Sequence, residues 1–170
     1  RTNLSGANLR GARLSNADLT QSELSGANLS NAELYNTQLM GANLIGANLS
    51  GADLQKAQLT HTNLHKANLT SAWLAGANLQ KANLQKANLF RSTLHGANLQ
   101  DADLSAANLM EASLIKANLR DVDLQDADLN KTILFKASVS KSALIEAQLC
   151  LTSLPDYTMH NRDCEQTRSI

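Results

Sequence analysis

GANLQKANLQKANL, the stretch from Gly76 to Leu89, places a leucine every five residues, a small residue two positions before each, and Asn between them. Neither regular element carries that period unbroken. On an α-helix five residues advance by about 500°, which turns successive leucines about 140° apart and smears them round the axis. On an uninterrupted strand the odd spacing sends alternate leucines to opposite faces. The chain must therefore turn once per repeat. With three residues extended and two at a corner, strand alternation points the small residue and the leucine inward and the Asn outward.

Outward from that stretch the leucine position recurs 31 times, from Leu4 to Leu154, and only Val139 departs from leucine. Ala fills 22 of the 31 small positions. Such self-similarity marks a solenoid, in which each unit buries its face only against its neighbours. Sorting at 20 residues per coil, four right-angled corners, stacks Asn8, Asn28, Asn48, Asn68, Asn88 and Asn108 in one column and keeps Ala7 through Ala147 unbroken beside it. Sorting at 15 mixes Asn3, Asp18, Glu33 and Asn48. The coil has four sides, named here by their leucines: the first carries Leu4, the second Leu9, the third Leu14 and the fourth Leu19.

GANLS at Gly46–Ser50 and GADLQ at Gly51–Gln55 match residue for residue the pattern of the pentapeptide repeat proteins, which the chain resembles over about residues 1–154. The resemblance implies an all-β fold, a right-handed quadrilateral parallel β-helix (β-solenoid) of about 7–8 coils, followed by a C-terminal capping tail at 155–170. The family is abundant in cyanobacteria, and most members have no known activity. What it implies for function is a non-catalytic scaffold, a protein–protein interaction module. The alternative is a DNA-mimicking, gyrase-binding protein of the quinolone-resistance type.

Composition agrees with one repeat domain: aromatics make up 3% of the 170 residues, Pro occurs once, and the apolar 43% is mainly Leu and Ala, as a narrow lumen requires. No apolar run reaches the 18 residues of a membrane span, and no signal peptide is present. A start at Arg1, already inside a repeat, reads as a processed or trimmed chain. Lys and Arg number 15 and so do Asp and Glu, so the total charge supports neither a nucleic-acid grip nor polyanion mimicry. Lys66, Lys81 and Lys86 on the first side and its corners are followed one coil up by Asp101, Asp103, Asp121, Asp123 and Asp126, which reads as a solvated face of mixed charge. Arg91, Glu111 and Lys131 stack as an alternating ladder.

No spacing carries catalysis. His61 and His65 have the separation of two helical zinc ligands, but here that separation spans one side of the square and parts them by roughly 10 Å. His95 and His160 stand alone, no Ser or Cys pairs with a His and an acid, and Gly marks corners rather than a phosphate cradle. The chain is expected to be no enzyme and to need no cofactor, metal or small-molecule substrate. The Asn columns read either as binding ladders or, more simply, as amides bonded to one another and to the backbone. Cys150 and Cys164 are either a disulfide stapling the tail, which implies the periplasm or a thylakoid lumen, or two thiols of a cytoplasmic protein, the reading preferred here.

Regular turns end at Pro155. PDYTMH, residues 155–160, resembles the closing Pro-Asp-Gly segment of the family, with Tyr157 where Gly is usual, and Asn161 or Asp163 is placed to cap a short helical turn through Arg168. The most informative placement is that of the large side chains. Sorted at 20, Tyr35 and Phe135 fall on the corner ending the third side, Trp73 on its middle, and Phe90 on the corner leading into it. Met110 stacks above Phe90, Ile115 below Phe135, and Ile133 in the Trp73 column, whereas Met40, Ile45 and Ile145 lie elsewhere. The strip is the expected surface for an unidentified protein partner, on a monomer or an end-to-end dimer.

Overall fold

A single repeat states the architecture. In residues 82–86 the Ala82 amide closes the preceding corner on the Leu79 carbonyl (3.0 Å), Asn83 donates one coil back to Thr62 (3.0 Å), Leu84 donates one coil forward to Asp103 (2.7 Å), and Lys86 donates forward to Ser105 (3.0 Å). Backbone bonds thus hold four of the five amides, and the fifth, on Gln85, donates to the Asn83 side chain (3.0 Å). The structure is a computed structural model and describes residues 2–164. Parallel bridges join each outward residue to the one twenty later, from Asn3↔Glu23 to Ile133↔Ser153, so the chain is a right-handed quadrilateral parallel β-helix. Pairing is so brief on each side that only Asn118–Leu119 (β1) and Ser138–Val139 (β2) form a parallel two-residue strand pair.

Corners need the left-handed conformation once per repeat. Gly supplies it at eight of them, but Asn, Lys, Asp and other side chains adopt it as well, with φ between 53° and 63° along the regular repeats. Those residues bear the modest steric penalty of the left-handed region, and the ladder bonds on either side hold them there. Gly51 has a second reason to be Gly, since a Cβ there would stand 2.5 Å from Asn31 Oδ1.

The lumen is a column of leucine and alanine, its leucines buried from Leu24 to Leu149, with Leu4, Leu9 and Leu14 at the first coil and Val139 and Leu154 at the last only partly covered. Where a buried Ser or Thr takes the small position, its hydroxyl finds a leucine carbonyl: Thr62 reaches Leu39 one coil back (2.8 Å) and Ser92 reaches Leu89 within the same turn (2.7 Å). Buried hydroxyls in the core are tolerated because each is hydrogen-bonded.

The periodicity predicts the same β-corner geometry up to Leu154, and the last coil breaks it. Lys141–Ile145 form a short helix, α1, capped by the Ser140 hydroxyl accepting from the Ala143 amide (3.1 Å). The Ser140 cap takes the place of a ladder bond: the Ala143 amide donates to it, where the Asp123 amide one coil earlier donates back to the Ala102 carbonyl. The ladder resumes at Asp128↔Gln148 and Ile133↔Ser153. Thr152–Ser153 (β3) then pairs antiparallel with Met159–His160 (β4), and a disulfide joins Cys150 to Cys164 (Cα–Cα 4.7 Å), which corrects the preferred expectation of two free thiols, since β3 and β4 bring the two residues together.

Asn161 and Asp163 differ from their expected role as helix caps. The Asn161 side chain accepts from the Leu151 amide (3.1 Å) and the Asp163 carboxylate from the Leu149 amide (2.8 Å), so both are used on the open edge of the last coil. The remainder of the expected turn, towards Arg168, lies outside the described residues. Tyr157 does adopt the left-handed conformation that Gly usually provides, at φ 70°.

Leu84 is fully buried at mid-rod. Changing Leu84→Asp places a carboxylate where no partner reaches it and is expected to cost more than about 4 kcal/mol, removing cooperative thermal unfolding or soluble expression. Circular dichroism melts of the variant check it, and an unchanged melting temperature would refute the inward assignment.

Candidate functional site

Asx bonds like that of Gln85 cap the corner amide on three sides of the rod. The second side has them in every coil from Arg10 on Asn8 to Asn130 on Asp128. The first side has them from Asn43 to Asp123, and the fourth from Asn78 to Asn118. On the third side Asp53 alone, among the described residues, caps its corner (Gln55 amide, 3.0 Å). Above it the middle column runs Trp73, Thr93, Ser113, Ile133, joined by successive bridges. Four consecutive coils of one side therefore carry side chains in place of the amide or carboxylate that stabilises the corner elsewhere.

The two apolar members are exposed, Trp73 by 57% and Ile133 by 42%, and Thr93 and Ser113 between them are half-buried. Phe90 and Met110 stack along the leading corner, and Ile115 and Phe135 along the trailing one, as the amide bonds of Ser71, Arg91, Gly96 and Lys116 to their carbonyls show. Tyr35 shares the trailing column but is parted from the cluster by Gln55 and Ala75, and Lys56 sits 5.4 Å above its ring. The Lys56 ammonium is held above its ordinary pKa by its hydrogen bond to Tyr35.

Three members of the surface escape a reading from sequence. Tyr157 stacks on Phe135 with ring centroids 3.8 Å apart and is 71% exposed, Leu151 stands exposed on the leading corner, and Met159 is set beside Ser153 by β4. Tyr157 in the place where the closing Pro-Asp-Gly segment usually has Gly was the available signal. For Leu151 the signal was the sorting at 20, which sets it above Arg91, Glu111 and Lys131, while Met159 depends on how the tail folds. Met40, Ile45 and Ile145 remain apart from this flank.

Charge borders the strip. Arg91 bonds to Glu111 (2.7 Å) and lies 4.7 Å from the Phe90 ring centroid, Lys131 reaches the other Glu111 oxygen (3.7 Å), and Lys136 stands 5.0 Å from the Phe135 centroid. Hydrogen bonding from Arg91 holds the Glu111 carboxyl below the usual carboxylate range. Across the rod, burial pushes Asp103 up, but hydrogen bonds from Ser105 and Gln85 outweigh it and leave its pKa lowered. Asp103 and Asp123 each cap a corner, so the acidic first side is largely occupied with its own backbone.

The amide columns bond within themselves, Asn68 to Asn48 (3.3 Å) and Asn118 to Asn98 (2.9 Å), as well as to the backbone. His61 occupies a corner with φ 58° and His65 the next, while His95 bonds to Ser113 (2.6 Å). Among the described residues no three His, Cys, Asp or Glu side chains converge as a metal site would require. A cavity of about 370 Å³ lies at the C-terminal mouth of the lumen, between Leu144, Leu149 and Leu154 and the tail residues His160 and Arg162.

The model of the pentapeptide repeat family matches residues 2–39, 37–72, 70–105, 97–135 and 112–149, in eight copies. The chain belongs to the pentapeptide repeat family. It is similar to HetL, a pentapeptide repeat protein involved in heterocyst differentiation regulation from the cyanobacterium Nostoc sp. strain PCC 7120, at 34% identity over 93% of this chain and 78% of that one, with a TM-score of 0.53. It resembles alr5209 from the same cyanobacterium at 34% identity and a TM-score of 0.53, over 61% of this chain and 84% of that one. QnrB1, a plasmid-mediated fluoroquinolone resistance protein, shares the fold at 16% identity, 92% coverage of both chains and a TM-score of 0.53. No curated protein matches the sequence. No helix among the described residues is long and apolar enough to cross a membrane.

Restoring an amide cap tests what the third side gives up. Trp73→Asn and Ile133→Asn provide acceptors for the Ala75 and Phe135 amides and are expected to raise stability by about 0.5–1 kcal/mol each. Urea unfolding measures it, and a loss of stability in both variants would show that the exposed side chains serve the fold.

Proposed function

We propose that this pentapeptide-repeat rod is a non-catalytic interaction scaffold that docks another protein on its third side. The observation that carries the reading is the loss of the corner cap from Trp73 to Ile133, with exposed apolar side chains at both ends of that run. A side chain that weakens local structure and exposes apolar surface is retained when something else contacts it. Rigid coils suit such a role, since a preformed flat face spends little conformational entropy on binding. The quinolone-resistance alternative rests on a likeness of 16% identity, which conveys fold alone, and on a surface of zero net charge that imitates DNA poorly.

The test is a triple variant, Trp73→Ser, Phe90→Ser and Phe135→Ser, used in a pull-down from source lysate beside a fourth-side control with Ser at Gln38, Gln58 and Gln80. Stability is expected to change by no more than about 1.5 kcal/mol, while partner capture falls at least about tenfold. Full capture by the aromatic variant with loss in the control would move the site to the amide columns. A supercoiling assay with purified gyrase is expected to show neither inhibition nor protection at micromolar protein.

Residues 155–170 are proposed to cap the rod. Supporting this, Asn161, Asp163 and the Arg162 guanidinium occupy the Leu151 and Leu149 amides and the Ala147 carbonyl, groups that a further coil would otherwise pair. The disulfide ties the same edge, which fits an oxidising compartment such as a periplasm or thylakoid lumen. Deleting 155–170 is expected to produce end-to-end association or aggregation in light scattering, and a monomer of unchanged melting temperature would refute the cap.

A further inference from the structure

Cations stand on both corners of the apolar strip. Arg91 and Lys131 line the leading corner and Lys116 and Lys136 the trailing one, all exposed, against the carboxylates of Glu111, already bonded to Arg91, and Asp156 at the rod's end. Between them lie Phe90 and Met110, Trp73 and Ile133, Ile115 and Phe135. An apolar band bounded on two sides by positive charge selects a partner with an apolar band bounded on two sides by negative charge.

The backbone decides what form that partner takes. The ladder bonds of the third side run along the rod between coils, so no sheet edge on this face is open for an added strand. An extended segment laid over Trp73 and Ile133 would bury backbone amides and carbonyls with nothing to bond them. A helix satisfies its own backbone and presents only side chains. Trp73 and Ile133 are three coils apart and Tyr157 lies one coil further, roughly 19 Å in all, which matches three to four helical turns.

We infer that the third side binds an amphipathic α-helix of a partner protein, laid along the rod axis with acidic residues flanking its apolar stripe. The inference rests on the third side being the docking surface and adds the chemistry of what docks there. Hydrophobic anchors of the helix at i, i+3, i+4, i+7 and i+11 cover the band from Trp73 to Phe135, and glutamates on either flank reach Arg91 and Lys131 on one corner and Lys116 and Lys136 on the other. The opposite flank of the rod, with Asp101, Asp121 and Asp126, repels the same helix.

Trp73 is the sole tryptophan, so its emission reports this face alone. The probe is a hydrocarbon-stapled helical peptide of about 16 residues with Leu along one stripe and Glu on both flanks, compared with the same peptide carrying Lys in place of Glu and with a 12-nucleotide oligothymidine. The Glu peptide is expected to shift Trp73 emission to the blue and saturate, to bind at least about tenfold more tightly than the Lys peptide, and to weaken as NaCl rises from about 0.05 to 0.5 M. Lys116→Glu with Lys136→Glu is expected to lower its affinity about tenfold and to improve binding of the Lys peptide. Equal binding of the two peptides would overturn the acidic partner while leaving third-side docking standing. An unmoved Trp73 signal with both, or tighter binding of the oligonucleotide, would overturn the helix itself. The docking reading falls separately, if the triple aromatic variant still captures every partner.

Discussion

Five backbone amides per repeat must find acceptors, and the parallel coil provides only four. Leucine, the outward residue and the corner residue bond to neighbouring coils, the small residue closes the corner on the preceding leucine, and the amide after leucine is left over. Its acceptor comes from the outward side chain two residues earlier, as in Gln85 on Asn83 or Gln125 on Asp123. Asn and Asp are frequent at that position because their short side chains reach an amide two residues on. The amide ladders between coils are built from side chains already fixed for this purpose, with the second Asn68 hydrogen bond, to Asn48, added to the first.

The outward position mostly caps its own corner, and a few of its side chains bond within the rod, as Gln38 and Gln58 do to the Asn36 and Lys56 carbonyls and Arg13 does to Glu33. Where it caps, the surface is a regular, hydrated array of amides. On the third side from Trp73 onward it does not cap, and the leftover amides of Ala75, His95, Ile115 and Phe135 have no carboxyl or amide oxygen two residues before them. Exposed amides are solvated by water at small cost, so the rod tolerates this locally. Because each coil contacts only its neighbours, such a change on one side leaves the lumen and the other three sides as they were.

The spacing of five and its regrouping at twenty made the core and the ladder legible, because both depend only on which residues face inward and which stack. The right-angled coil, the buried leucines from Leu24 to Leu149 and the flank shared by Trp73, Phe90, Met110, Ile115, Ile133 and Phe135 all follow from that sorting. Beyond Val139 the period no longer decides the local structure. Lys141 resembles the lysines that occupy corners elsewhere, but here the Ser140 hydroxyl takes the Ala143 amide and the chain forms α1 in place of the ladder. Tyr157 and Met159 join the surface through a tail that runs antiparallel to the last coil, a placement no repeat period encodes, whereas Leu151 continues the corner column of Arg91, Glu111 and Lys131.

Tyr157 connects the end of the rod to its working face. At φ 70° it bears the strain of a bulky residue in the left-handed region, and its amide closes the turn on Leu154 (3.1 Å) as a glycine's would. Gly would relieve that strain but would leave Phe135 without its stacked ring. The same exchange of local stability for exposed apolar surface thus occurs twice by unrelated means, at the corner caps of the third side and in the closing turn. Both place side chains on one flank, which a requirement of the fold alone would have distributed over four.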